Sequence, residues 1–322
     1  MTEKTDQNHH HNDKVYKEIL GNKKAFLELI NTYVEEEWVQ NISEDDLVLV
    51  NKSFVLQDFK GKEADIVYLL RAKKVIFYIL LELQSTVDFL MPFRILMYMV
   101  EIWRYVFQNT KEKERTRKGF LLPAIIPVVL YNGEYNWTAK RDFAQMIAGY
   151  KQFRSYLPGF EYILFDVNRY TEAELLQNAN LISSVFFLDQ KMSFEEIVVR
   201  LSKIADIIRN FSPEDFHLLK IFLKHQVISR LPADKRNQLD NLIDDMRPWG
   251  VDGMILNLQV ALDEAIEKAQ KKGEKTGEKN SKTIIALKAL QEGVDIDIVV
   301  KITGLSKKEV QKLAAGMQLS VE

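Results

Sequence analysis

The chain has 322 residues, 47% of them apolar, which is enough for a substantial core and more than one packed region, and the starting expectation is two such regions plus a tail. It has no cysteine, so disulfides, thiolate zinc sites and cysteine nucleophiles are absent together, and any metal falls to carboxylates, His, or amide and carbonyl oxygens, a donor set that favours a hard cation such as magnesium. With a formal net charge of -2, contact with phosphates has to come from a local cluster rather than from the field of the whole chain.

Residues 1–12 are polar, and His9–His11 have no further ligands at suitable spacing, which reads as a disordered tail. The start of the chain lacks the apolar centre of a secretory signal. The longest apolar runs, Val75–Leu81 and Leu121–Leu130, are too short to cross a bilayer, so the expected location is cytoplasmic with no membrane partner. From Lys14 to Val34 the residues Val15, Ile19, Leu20, Phe26, Leu27, Ile30 and Val34 recur near helical spacing, with a break at Gly21. Short runs rich in Val, Ile, Tyr and Leu follow at Leu47–Val50 and Phe54–Leu56, Ala64–Leu70 and Val75–Gln84, separated by turns at Lys60–Lys62 and Arg71–Lys74. They predict a meander of about three strands.

The last run, VIFYILLELQ, is apolar on both alternations up to Glu82, the pattern of a strand buried on both faces and central in its sheet. Pro92 suits a first helical turn, and Phe93, Leu96, Met97, Val100, Trp103 and Phe107 then follow at helical spacing, so a helix is expected to cover the sheet. Trp103 and Trp137 read as packing residues rather than base-stacking platforms. Lys111–Lys118 carries five basic residues interleaved with two glutamates and reads as a solvated connection. LLPAIIPVVLY is a further strand whose two prolines place it near an edge or a bulge, and EYILFDV is another. From Thr171 to Lys272 the pattern is helical, punctuated by Pro213, Pro232 and Pro248.

Residues 271–282, KKGEKTGEKNSK, read as a charged linker or a frayed helix end. Beyond it, 283–322 forms a small helical unit resembling a helix-turn-helix. Gly304 falls at a C-cap, Ser306 at an N-cap, and Ile298, Val299, Ile302, Leu305, Val310 and Leu313 supply its core. Lys307, Lys308 and Lys312 bring charge there, interrupted by Glu309, leaving DNA binding and protein association both open.

Alternation along a strand sets Glu82 and Gln84 on one face at the polar end of the most apolar strand. A short turn makes the preceding run its antiparallel partner, which brings Asp65, at the start of that run, opposite the end of the next. Two carboxylates brought close repel unless a cation or proton lies between them, and an all-oxygen pair suits magnesium or manganese. Phosphodiester hydrolysis calls for such a metal together with a group, here Gln84, that orients the attacking water.

The segments GKEADIVY, LLELQS, MPFR and IIPVVLYNG resemble the Rpn family of recombination-promoting nucleases, also described as YhgA-like transposases. The resemblance covers roughly 13 to 176, and the glycine-and-lysine linker with its short helices also looks like the family's tails. It implies an α/β (α+β) fold with a PD-(D/E)XK nuclease core of helix, three-strand meander, helix and further strands over 13–170. A helical lobe over 171–270 and the all-helical C-terminal region would follow. It further implies a deoxyribonuclease that cuts DNA with Mg2+ or Mn2+ in recombination or mobile-element biology. Asp65 and Glu82 would be its metal ligands, and Gln84 would stand where the superfamily usually has lysine. An amide holds water but brings no positive charge.

Three accessory positions carry two readings each. Glu63 shares a strand face with Asp65 and is either a further metal-site carboxylate or a surface acid. Asp13 precedes the first helix as an accessory acid or an N-cap. Arg94 sits one turn into the helix after the site strand, to grip a phosphate or to face solvent. The competing reading of the whole chain is a catalytically inactive nuclease-fold protein that binds or regulates. In either case homo-oligomers through the helical regions are expected.

Overall fold

The computed structural model describes residues 14–40, 42–50, 66–72, 75–191, 194–226, 240, 243–244, 247, 250–292 and 294–318. It divides into two compact units, Met1–Leu258 and Gln259–Glu322.

The first unit opens with helices α1 (14–21) and α2 (Lys23–Tyr33), parted at Asn22, whose side chain caps α2 by accepting from the Ala25 N–H. A five-stranded sheet follows: β1 (Leu47–Leu49), β2 (Ile66–Ala72), β3 (Val75–Gln84), β4 (Ala124–Tyr131) and β5 (Ile163–Asp166), in spatial order β1-β2-β3-β4-β5. The pairs β1–β2 and β2–β3 are antiparallel, while β3–β4 and β4–β5 are parallel. β3 is therefore the middle strand, as its unbroken apolar run predicts. Phe54–Leu56 lies outside the described residues.

Of the two prolines that place this strand near an edge, Pro127 lies within β4, which is one strand from the edge of the sheet. β3 pairs with β4 along its whole length, whereas β5 pairs with it only over Val128–Tyr131. Pro127 falls in the half of β4 that β5 does not reach, so its missing N–H breaks no rung between them.

Helix α3 (Met91–Asn109) makes the parallel crossover from β3 to β4 and covers one sheet face, but with a different stripe from the one expected. Met91, Ile95, Tyr98, Met99 and Ile102 pack with Val67, Ile125, Val129 and Tyr162, joined at the margin by Trp103 and Trp137. Phe93, Val100 and Phe107 point away and are exposed. Both stripes recur at helical spacing, and periodicity cannot choose between two apolar faces. The basic stretch after α3 forms a single turn, α4 (Glu112–Arg115), with no buried residue.

The opposite face is covered by α1, α2 and, after the single turn α5 (Tyr150–Phe153), by α6 (Glu172–Asn178) and α7 (Leu181–Asp189). Every residue of α7 is buried, as expected for a helix apolar on nearly all sides. Phe26 stacks on Tyr68 with ring centroids 4.3 Å apart, and Tyr33 meets both Phe165 and Phe186. Helices α8 (Phe194–Lys203), α9 (Ala205–Arg209) and α10 (Pro213–Gln226) complete the lobe. Pro213 opens α10 at the position where proline is tolerated. Lys24 of α2 pairs with Asp215, which also accepts from the Ser212 hydroxyl at 2.6 Å.

Residues 271–282, read as a charged linker or a frayed helix end, run as helix within α11 (Val251–Gln291). Lysine and glutamate are good helix formers, and Glu267–Lys271 and Glu278–Lys282 have the favourable i,i+4 spacing, which outweighs two glycines. In the second unit α12 (Ile296–Thr303) ends on Gly304 at φ 66°. The Ser306 hydroxyl donates to the Glu309 carboxylate at 2.7 Å and accepts from its N–H, which starts α13 (Lys307–Gln318). Ala286, Val299, Leu305 and Val310 form the core, whereas Ile298 and Ile302, expected inside, are exposed. Ala289, Leu290, Val294, Ile296, Val300 and the expected Leu313 pack against this core. Among the described residues no helix is long and apolar enough to cross a membrane.

The Tyr68 hydroxyl donates to the carbonyls of Leu20 and Gly21, each at 2.9 Å, satisfying acceptors that the end of α1 leaves without helical partners. Tyr68→Phe is expected to cost about 1–2 kcal/mol in urea unfolding, the scale of a buried acceptor losing its donor.

Candidate active site

The parallel strands β3, β4 and β5 end together. Gln84 pairs with Tyr131 and Tyr131 with Asp166, so these three positions form a row across one sheet face at its C-terminal edge. Glu82 lies one rung inward, paired with Val129. On the other side of β3 the ladder with β2 runs outward as far as Ile66 opposite Leu81. Asp65 is the residue before Ile66 in the chain and lies outside the described residues, as do Glu63 and Asp13. Of the expected site, the backbone of Glu82 and the whole of Gln84, half-buried, are described.

A fixed loop holds the end of β3. The Asn132 N–H donates to the Gln84 carbonyl at 3.1 Å, extending the β3–β4 ladder by one bond. The next residue must be glycine, because a Cβ on Gly133 would overlap the Ser85 carbonyl and the Tyr131 ring. The Asn132 side chain and the Tyr16 hydroxyl both donate to Asp189 Oδ2, each at 2.9 Å, which ties this loop to α1 and α7. Burial, followed by the charge of Asp189, raises the Tyr16 phenol well above its ordinary range, so it stays a donor. Asn168 donates to the Gly133 carbonyl at 2.9 Å and accepts from the Lys191 N–H.

Arg94 donates to Asp88 Oδ2 at 2.8 Å and to the Tyr98 hydroxyl at 3.3 Å, while Asp88 Oδ1 accepts from the Leu90 N–H. Its guanidinium thus clamps the turn after β3 to α3, and a phosphate would have to compete with Asp88 for it.

Asp166 was not singled out in the sequence. Its side chain is 11% exposed, and among the described residues its Oδ1 has no hydrogen-bond partner. Burial pushes this carboxyl above the usual range, opposed chiefly by Arg169, whose Nε lies 3.4 Å from Oδ2. The same burial, with Asp166 beside it, raises Tyr131, whose hydroxyl donates to the Tyr135 carbonyl at 2.6 Å. The signal available in the sequence was an aspartate closing the apolar run EYILFDV, but only the strand register brings it alongside Tyr131. Among the described residues no three His, Asp or Glu side chains gather as a metal site.

Residues 8–216 match the family model described as "Putative transposase, YhgA-like". The chain belongs to the YhgA-like family. The match spans all five strands and runs into α10, and residues 279–315 match the C-terminal HTH domain of the Rpn/YhgA-like nuclease family, covering α12 and most of α13. No curated protein and no solved structure matches.

Because the folded Asp166 binds its proton more tightly than the unfolded chain does, its ionisation destabilises the fold as pH rises from the ordinary aspartate range through the raised value. Asp166→Asn is therefore expected to raise the melting temperature at pH 7, with the gain shrinking toward pH 4; thermal melts at the two pH values check it. Loss of the half-exposed Arg169 partner subtracts little.

Proposed function

We propose that this member of the YhgA-like family is a Mg2+- or Mn2+-dependent DNA endonuclease of the PD-(D/E)XK class, acting in recombination or mobile-element biology. The observation that carries this reading is the β2–β3 register. Ile66, which opens β2, pairs with Leu81; Asp65 precedes Ile66 in the chain, Glu82 follows Leu81 along β3, and Gln84 closes β3. Family membership and the C-terminal helix-turn-helix match support the same reading.

Asp65 and Glu82 would hold the cation. Two carboxylates suit a hard divalent ion, and such an ion, when bound, offsets charge on the phosphoryl group and lowers the pKa of a water. Gln84 would orient the water by hydrogen bonding; being neutral, it leaves stabilisation of the hydroxide to other groups. Its strand end is held by Asn132 and Gly133, which limits how far the amide can wander. Glu63 would add negative charge on the Asp65 strand, and Asp13 would serve as an accessory acid. The helix-turn-helix would grip DNA phosphates with Lys308 and Lys312, both exposed, since Lys307 is paired with Asp297 at 2.7 Å and Glu309 caps its own helix.

One observation favours a second reading, a catalytically inactive protein that binds or regulates: the neutral amide at position 84, where the superfamily has lysine.

With supercoiled plasmid and Mg2+, Asp65→Ala and Glu82→Ala are expected to slow nicking by more than about 100-fold with unchanged melting curves without metal. Cutting at the wild-type rate would remove both residues from the site. Gln84→Lys is expected to change the rate or the metal preference. Lys308→Glu with Lys312→Glu should weaken DNA binding and flatten the dependence of log K on log salt by about 2; an unchanged slope would take these lysines off the DNA.

A further inference from the structure

Residues 140–156, in the connection from β4 to β5, carry Lys140, Arg141, Lys151 and Arg154 against one acid, Asp142, in a chain whose formal net charge is -2. All four cations are exposed. Among the described residues Lys140, Arg141 and Lys151 have no carboxylate partner, and Arg154 stands 3.8 Å from Asp142 Oδ2, a loose pair. The other oxygen of Asp142 accepts from the Ala144 N–H at 2.9 Å, so the one acid serves the backbone of its own turn. Here is the local positive cluster that contact with phosphates requires in a chain of slightly negative charge.

Large aromatic side chains are interleaved with these cations. Tyr156 is 86% exposed and Phe153 49%. Cations that follow a phosphate backbone, set beside rings on which bases can stack, are the combination that holds single-stranded nucleic acid. In a duplex the bases already stack on one another, and such rings find no open face.

The connection presents these groups on a firm base. Phe143 stacks on Phe160 with ring centroids 5.5 Å apart, its N–H donates to the Phe160 carbonyl at 3.0 Å, and the 3-10 turn Phe143–Met146 packs against both α3 and α5. The Arg154 guanidinium lies over Gly159, where any Cβ would overlap it. A surface ordered in advance has less freedom to lose when a strand binds.

Its place also suits the candidate site. The chain enters the connection from Tyr131, which stands in one row with Gln84. Arg141 donates to the Tyr162 carbonyl at 3.2 Å. Burial raises the Tyr162 phenol, the Trp137 hydrogen bond and the Arg141 charge oppose the rise, and the Asp88 charge adds to it. Arg141 and Asp88 thus both lie near that hydroxyl, which sets the basic start of the connection close to the turn that follows β3.

We propose that residues 140–156 hold a single-stranded stretch of DNA beside the candidate site, with the four cations on its phosphates and Tyr156 and Phe153 against its bases. The inference rests on the nuclease reading for the identity of the strand, and it names the substrate class, DNA with unpaired nucleotides close to the bond that is cut.

Binding of the full-length protein to a labelled single-stranded oligonucleotide and to the matching duplex is read by fluorescence anisotropy in EDTA, so that neither cleavage nor the cation site contributes. Tyr156→Ala is expected to weaken single-strand binding by about 10-fold at an unchanged salt slope and to leave duplex binding as it is, while Tyr156→Phe keeps the wild-type affinity. Lys140→Ala with Lys151→Ala is expected to flatten the dependence of log K on log salt for the single strand by about 1.4, at about 0.7 for each phosphate contact. Single-strand affinity indifferent to Tyr156→Ala, an equal loss on the duplex, or an unchanged slope in the lysine pair overturns the proposal and leaves the nuclease reading standing. A wild type without affinity for either DNA overturns both.

Discussion

The candidate site depends on one backbone bond, from the Asn132 N–H to the Gln84 carbonyl. It carries the β3–β4 ladder one residue beyond the strands, at the point where β3 turns from apolar to polar. Without it, Glu82 and Gln84 would sit on a fraying strand end. The bond in turn relies on Gly133, which lets the two post-strand turns approach, and on Asp189, which accepts from Asn132 and Tyr16 together. A buried carboxylate with two donors on one oxygen is costly to disturb, so the loop is anchored to α1 and α7 rather than left at the surface.

The layered sheet gives that bond its context. α3 packs on one face, and α1, α2 and α7 on the other, so β3 is a middle strand between two apolar layers and its polar end emerges only at the edge. Chemistry at such an edge gains from rigidity below it and from access above it. Asp166 shows the corresponding cost, a carboxyl that burial makes reluctant to ionise at the end of the neighbouring parallel strand.

Much of this order was legible in the sequence because backbone periodicity and punctuation are local. The unbroken apolar run of β3 gave its central position, Pro92 the start of α3, and Gly304 with Ser306 the turn between the last two helices. What failed was everything that depends on which of two surfaces a partner takes. α3 offered two apolar stripes at the same spacing, and the one with Phe93 and Val100 was assigned to the sheet although Ile95 and Met99 lie there. Ile298 and Ile302 were counted as core for the same reason. By contrast, the prolines placed β4 near an edge, and Pro127 does lie in the half that the short β5 does not reach. At the site, Glu82 and Gln84 could be read from alternation along one strand, but Asp166 and Asp189 could not. Their roles come from Tyr131, which ends β4 and pairs with Asp166, and from Asn132, which follows it and donates to Asp189 from 57 positions away in the chain.

The central claim is that Asp65 and Glu82 form one cation site. The most direct measurement is a thermal-shift titration of the wild type, Asp65→Ala and Glu82→Ala with Mg2+, and with Ca2+ as a control. A ligand that binds only the folded chain stabilises it by about 2.7 kcal/mol at 100 times its Kd. A saturable rise in melting temperature for the wild type and a flat response for both variants is the predicted result. No shift in the wild type, or an equal shift in the variants, would contradict it.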